Sequence, residues 1–108
     1  AENHHLIDAA RLSLMRPGSV LVNCSRGALI DLDAAEEALH NGRLGGLGLD
    51  VYDPEPPEHH PVFDHPNTVL TPHLMGFTQR AMALTIQASV LGATAVLRGE
   101  QPIAVATP

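Results

Sequence analysis

The sequence predicts an α/β fold, a parallel sheet of short strands joined by crossover helices. Three observations carry that reading. Strand-length apolar runs at Ser19-Val20-Leu21-Val22-Asn23, Leu44 to Val51 and Thr68-Val69-Leu70-Thr71 are separated by helical patterns or a long loop. Each run is bounded by Gly, Pro or Asn. The first run is continuous in its apolar residues instead of alternating, the pattern of a strand covered on both faces.

In chain order, Asp8 can cap a short helix over residues 9–15, which Arg16-Pro17-Gly18 stops because proline disfavours helix in the residue before it. The first strand follows. Asp31 to His40 reads as an amphipathic helix with Asp33 and Glu36 at capping-box spacing, ended by Asn41-Gly42. In the second strand, Gly45, Gly46 and Gly48 would let a helix or a ligand approach the backbone closely. Tyr52 to Asn67 holds five prolines among acids and histidines and is expected to be a functional surface loop without regular structure. Pro72 breaks the third strand, and Thr78 opens a long helix to about Arg98, with Gly99 past its end. That helix is apolar on almost every side and is expected to be buried on almost every side. Its cover would come from partner structure outside this sequence or from a second copy.

With 108 residues, 44% of them apolar and 17% charged, the composition is that of one folded domain. A formal charge of −6 and the absence of any basic run argue against nucleic acid as a partner. A single cysteine, Cys24, excludes an internal disulfide framework, and a cytoplasmic location is expected. The apolar stretch at residues 81–97 is interrupted by Thr85, Gln87, Ser89 and Thr94, so a packed helix is expected there and not a membrane span. The opening residues, Ala1-Glu2-Asn3, run straight into patterned sequence as if cut from something longer.

Ligands of parallel sheets bind outside the carboxyl ends of the strands. Those ends bring Arg26, Asp50 and His73 toward one edge, with Glu55 on the adjoining loop. Arg26 could grip a carboxylate with two parallel hydrogen bonds and polarise a neighbouring carbonyl. His73 could deliver or remove a proton near neutral pH. Glu55, on the other ring nitrogen, would fix the tautomer and keep the ring protonated for a reduction. Asp50 would be an acceptor suited to a nicotinamide carboxamide or a ribose hydroxyl. Each residue also has a plainer reading: Arg26 as a surface ion-pair partner, His73 as a turn residue, Glu55 as a solvated loop acid, Asp50 as a turn cap. Cys24 reads most simply as a small residue at a strand end. His59, His60, Asp64 and His65 invite a metal, yet no cysteine pair or helical histidine spacing supports one, and a solvated loop is the better reading.

Three motifs now stand in order: Val20-Leu21-Val22-Asn23-Cys24-Ser25-Arg26-Gly27 with Ile30-Asp31; Gly48-Leu49-Asp50-Val51-Tyr52-Asp53-Pro54-Glu55-Pro56; and Asn67-Thr68-Val69-Leu70-Thr71-Pro72-His73 with Gly76-Phe77-Thr78. Together they resemble the D-isomer-specific 2-hydroxyacid dehydrogenases over essentially the whole chain, including the apolar tail. The resemblance implies the C-terminal part of a Rossmann-like parallel sheet with flanking helices and a long C-terminal helix. It implies NAD as cofactor, with NADP not excluded, and a small 2-oxo or 2-hydroxy acid as substrate. Arg26 would bind the substrate carboxylate and carbonyl, His73 would be the acid/base and Glu55 its partner. Cys24, Ser25, Arg26, Asp50, His73, Leu74, Met75 and Gly76 would lie along the nicotinamide end of the cofactor, and no metal is implied. The family's glycine-rich pyrophosphate turn and most of its substrate domain have no counterpart in these residues, so the isolated chain is expected to be inactive. Met75 stands where relatives often carry a small residue. A homo-oligomer is expected, and an alternative reading is a non-catalytic NAD-sensing or oligomerising scaffold.

Overall fold

A computed structural model describes residues 3–102; Ala1-Glu2 and the apolar tail from residue 103 onward lie outside the described residues. The elements are α1 (Ala9–Ser13), β1 (Ser19–Asn23), a 3₁₀ turn (Gly27–Leu29), α2 (Leu32–His40), β2 (Leu44–Leu49), a second 3₁₀ turn (Pro61–Asp64), β3 (Thr68–Leu70) and α3 (Gln79–Leu97). The three strands form one sheet in the order β1-β2-β3, both pairings parallel. Described residues up to Leu74 make one compact unit and those from Met75 a second. The sheet lies wholly in the first.

The core of the first unit forms where Leu12 of α1 and Ala35, Ala38 and Leu39 of α2 meet Leu44, Leu47 and Leu49 of β2, with Ile30 and Val62 completing the cluster. All the cover lies on that side. On the other face Val20, Val22 and Val69 are 67%, 63% and 67% exposed. The first strand, expected to be covered on both faces, is therefore covered on one, because α1, α2 and the second 3₁₀ turn all send their buried side chains into the same layer. Its apolar run records a demand for cover that the described residues meet on one side only.

Four local expectations change. The first helix stops at Ser13, short of Met15: the amides of Leu14 and Met15 bond to Arg11 and Leu12 three residues back, a tightening of the last turn ahead of Pro17. Asp8 caps it, accepting from the Arg11 amide at 2.8 Å. The cap of α2 is Asp31, which accepts from Ala34 N–H at 3.1 Å, and not the Asp33–Glu36 box. Ile30 is held extended by its bridge to Ile7, and the Asp31 amide bonds to Ile7 at 3.0 Å, so the helix begins immediately afterwards and Asp33 falls inside its first turn. The second and third strands end at Leu49 and Leu70, earlier than Val51 and Thr71, although Asp50 N–H to Asn23 and Thr71 N–H to Leu49 continue the ladder at 3.0 Å. The proline-rich loop is not irregular throughout. Pro61 starts the second 3₁₀ turn with its fixed φ, and Val62 is fully buried there.

Gly45 of β2 also serves a different neighbour from the one expected. A methyl on Gly45 would come within 2.7 Å of the Gly18 carbonyl oxygen, so the close approach is by the turn that leads into β1. In the second unit, Thr78 caps α3 through the Ala81 amide at 3.1 Å, and Gly99 ends it at φ +73°. None of the residues of α3 is buried, so the described residues do not supply the all-round cover expected from its composition. It is long and apolar enough to cross a membrane, with a mean hydropathy of 1.4. The Ser89 and Thr94 hydroxyls are spent on the carbonyls of Thr85 and Val90, at 2.9 and 2.8 Å.

Candidate active site

The site is assembled from three strand ends and one loop. At the end of β1, the buried side chain of Asn23 folds the following turn, donating to the Arg26 carbonyl at 2.8 Å and accepting from Ser25 N–H at 3.0 Å. Cys24 is half-buried in this turn, while Ser25 and Arg26 are exposed, with the guanidinium on the Ser25 carbonyl at 2.6 Å. Gly27 then lies against the peptide of Tyr52. A Cβ there would sit 2.0 Å from the Tyr52 carbonyl carbon, so glycine alone permits the approach of the Arg26 turn to the loop that carries Glu55.

At the end of β2, Asp50 is only 5% exposed. Its Oδ1 accepts from the Thr71 hydroxyl and from Leu74 N–H, the latter at 2.7 Å, and so grips the chain on both sides of His73. His73 has φ +55°, a left-handed conformation that costs a non-glycine residue about 1–3 kcal/mol and persists only where its surroundings enforce it. The grip of Asp50 is one such constraint. The His73 amide bonded to Thr71 O at 3.0 Å is another.

The third constraint is Glu55. His73 Nδ1 lies 2.9 Å from Glu55 Oε2 and 3.1 Å from Oε1, and Oε1 also accepts from Tyr52 N–H at 2.9 Å. A carboxylate facing Nδ1 selects the tautomer with its proton there and leaves Nε2 to exchange a proton. The hydrogen bond from His73 holds the Glu55 carboxyl below the usual range, with the Tyr52 amide next; desolvation opposes them, and the charges of His73 and then Arg26 add lesser contributions in the same downward direction. A lowered carboxyl stays ionised: its interaction with His73 is present at neutral pH and is lost as pH falls through the lowered value. Glu55 and His73 thus meet directly, while the Arg26 guanidinium lies on the Ser25 carbonyl and its charge is the least of the influences on Glu55.

Tyr52, Glu55, Pro56, Leu70, Pro72 and His73 line a cleft of about 380 Å³. Beside it, an apolar hollow of about 360 Å³ is bordered by Val20, Val22, Cys24, Gly48, Asp50 and Val69. Leu74 is half exposed at 51%; Met75 and Gly76 belong to the second unit. The loop histidines go elsewhere. His59 pairs with Asp64 at 2.9 Å, and His65 accepts from Asn67 N–H at 3.2 Å. Asp33, Glu36 and His60 bring possible ligand atoms within 4.8 Å of one another. Nδ1 of His60, however, accepts from Val62 N–H, which puts the ring proton of the neutral imidazole on Nε2, directed at Asp33 at 3.1 Å. Thus arranged, His60 donates and offers no lone pair to an ion.

Residues 1–75 match the family described as D-isomer specific 2-hydroxyacid dehydrogenase, NAD binding domain. The chain belongs to that family. It is 41% identical over 100 residues to the glyoxylate/hydroxypyruvate reductase B of Pectobacterium carotovorum, covering 92% of this chain and 31% of that protein. Among solved structures it is similar to the holo form of D-mandelate dehydrogenase from Rhodotorula graminis, with TM-score 0.88, 31% identity, and coverage of 99% of this chain and 31% of that one. It is also similar to D-lactate dehydrogenase from Aquifex aeolicus complexed with NAD and lactic acid, with TM-score 0.79, 29% identity, and coverage of 92% and 34%. The chain spans about a third of the length of the curated relatives it matches. Its fold is that of the family's Rossmann-like NAD-binding sheet.

Sequence reasoning did not single out Asn23, Gly27, Tyr52 or Thr71 as residues that build the site. Tyr52 carried the one usable signal: an aromatic ring with a polar tip, at a strand end, ahead of the proline-rich loop.

Proposed function

We propose that this chain carries the catalytic edge of an NAD-dependent D-2-hydroxyacid dehydrogenase, acting on a small 2-oxo or 2-hydroxy acid. The observation that carries the proposal is the Glu55–His73 pair, 2.9 Å apart where the loop after β2 meets the end of β3. Arg26 binds the substrate carboxylate and polarises the reacting carbonyl. His73 gives its Nε2 proton to the carbonyl oxygen on reduction and takes it back on oxidation, and Glu55 holds the ring through Nδ1. NAD, when bound, supplies or accepts the hydride at the substrate's C2.

The residues here fit the nicotinamide end of that cofactor. Asp50 is a buried acceptor beside an apolar hollow suited to a flat ring. Cys24, Ser25, Arg26, His73, Leu74, Met75 and Gly76 complete that stretch in the proposal, and Asp50 receives the carboxamide. None of these residues addresses the adenosine ribose, so the proposal covers NADP as well as NAD.

In the same proposal, residues 1–108 are the C-terminal half of an NAD-binding domain, without the glycine-rich turn that holds a pyrophosphate on a helix N-terminus. The 108-residue polypeptide alone is expected to show no NADH-dependent reduction of glyoxylate, hydroxypyruvate or pyruvate. Exchanged for the matching segment of the Pectobacterium reductase, it is expected to support glyoxylate reduction, with His73→Ala lowering turnover by about 10²-fold or more while NADH binding persists. Near-normal turnover by that variant removes His73 from the mechanism, and a graft that folds and binds NADH but reduces no glyoxylate leaves the scaffold reading in its place. A cytoplasmic, self-associating protein that binds neither nucleic acid nor lipid is the setting proposed, supported by the net charge of −6 and the polar interruptions of α3.

A further inference from the structure

Glu55 and His73 are held by the two ends of one residue. The backbone N–H of Tyr52 donates to Glu55 Oε1 at 2.9 Å. Its hydroxyl, reaching across the sheet end, lies 2.8 Å from the Thr71 carbonyl and 3.2 Å from that of Leu49. A phenol has one proton to donate, and the shorter contact identifies Thr71 O as its main acceptor. Thr71 O is also the acceptor of the His73 amide, at 3.0 Å. The hydroxyl therefore orients the carbonyl that keeps His73 in its left-handed turn, while the other end of the same residue orients the carboxylate that His73 meets.

We infer that the Tyr52 hydroxyl is a positioning group for the His73–Glu55 pair, fixing the Thr71 peptide so that Nδ1 of His73 faces the carboxylate and Nε2 faces the cleft. Pro72, between the two, has its φ set by its ring, and the bond from the His73 amide to the Thr71 carbonyl closes the rest of the turn on the oxygen that the hydroxyl holds. Burial, followed by the charges of Asp50 and Glu55, pushes the phenol upward from its ordinary value, so it keeps its proton and remains a donor at neutral pH. The ring is anchored independently, edge to face against Phe63 with centroids 5.8 Å apart, and that contact survives loss of the oxygen.

The inference rests on the proposed acid/base reading only for its catalytic consequence; its geometric content is read without turnover. The test is side-chain ¹H–¹⁵N spectroscopy of the 108-residue chain and of Tyr52→Phe, with the His73 ring signals assigned by their loss in His73→Asn. The neutral imidazole of the parent chain is expected in the Nδ1–H form. Tyr52→Phe is expected to shift it toward the Nε2–H form and to move the Glu55 carboxyl titration upward toward the ordinary range. An unchanged tautomer and an unchanged Glu55 titration in a folded Tyr52→Phe chain overturn the inference. Should that variant fail to fold, 3-fluorotyrosine supplied in the growth medium labels Tyr52 alone, since it is the chain's single tyrosine. Its ¹⁹F line is expected to shift on His73→Asn, and an unmoved line overturns the inference as well. Because both readouts are spectroscopic, a failure here is distinct from retained turnover in the grafted His73→Ala enzyme, which tests the function.

Discussion

The geometry of the site depends on single residues that do no chemistry. Gly27 is the sharpest case, since any side chain there overlaps the Tyr52 peptide, with a Cβ 2.0 Å from its carbonyl carbon. Gly27→Ala is expected to destabilise the chain by about 1–3 kcal/mol through overpacking, read as a lower urea midpoint. It is also expected to perturb the amide signals of Tyr52 and Glu55 more than those of α1; spectra altered equally throughout would count against so local an effect. Chemical type was legible in the sequence at this scale. Arg26, Asp50, Glu55 and His73 could be picked out because few side chains can bind a carboxylate, accept a buried hydrogen bond or exchange a proton at neutral pH. What holds them was not legible. The bonds from Asn23 to its own turn, from Tyr52 to Thr71 and from Asp50 to Leu74 link positions whose proximity only the folded sheet creates.

At the scale of elements, the periodic segments were read correctly in type and order, and the boundaries moved wherever two local signals competed. The start of α2 shows why. Asp31 and Asp33 are both eligible caps by residue type, and the bridge between Ile7 and Ile30, a contact between distant parts of the chain, selects Asp31. Asp31→Ala is therefore expected to cost about 0.5–2 kcal/mol in thermal or urea unfolding, while Asp33→Ala costs clearly less. Equal losses would return the cap to Asp33. The second 3₁₀ turn went unread for a related reason: proline was treated as a breaker, whereas Pro61 opens the turn that sends Val62 into the core.

For the whole molecule, the sequence carried a demand for burial that the described residues do not meet. The face of the sheet bearing Val20, Val22 and Val69 is exposed, and no residue of α3 is buried. Apolar surface of that extent favours association, and the 108-residue chain is expected to sediment as a dimer or larger species, its average mass rising with concentration; a clean monomer at all concentrations would refute this. The amount of apolar surface was legible from composition, but not its location, because an apolar run looks the same whether the chain's own helices or another polypeptide will cover it. One further consequence follows from where the aromatic residues fall. With no tryptophan and a lone tyrosine in the chain, nearly all near-ultraviolet absorbance and emission come from Tyr52. The molecule carries a built-in optical reporter at the junction of its strand ends, so quenching or a spectral shift reads events there.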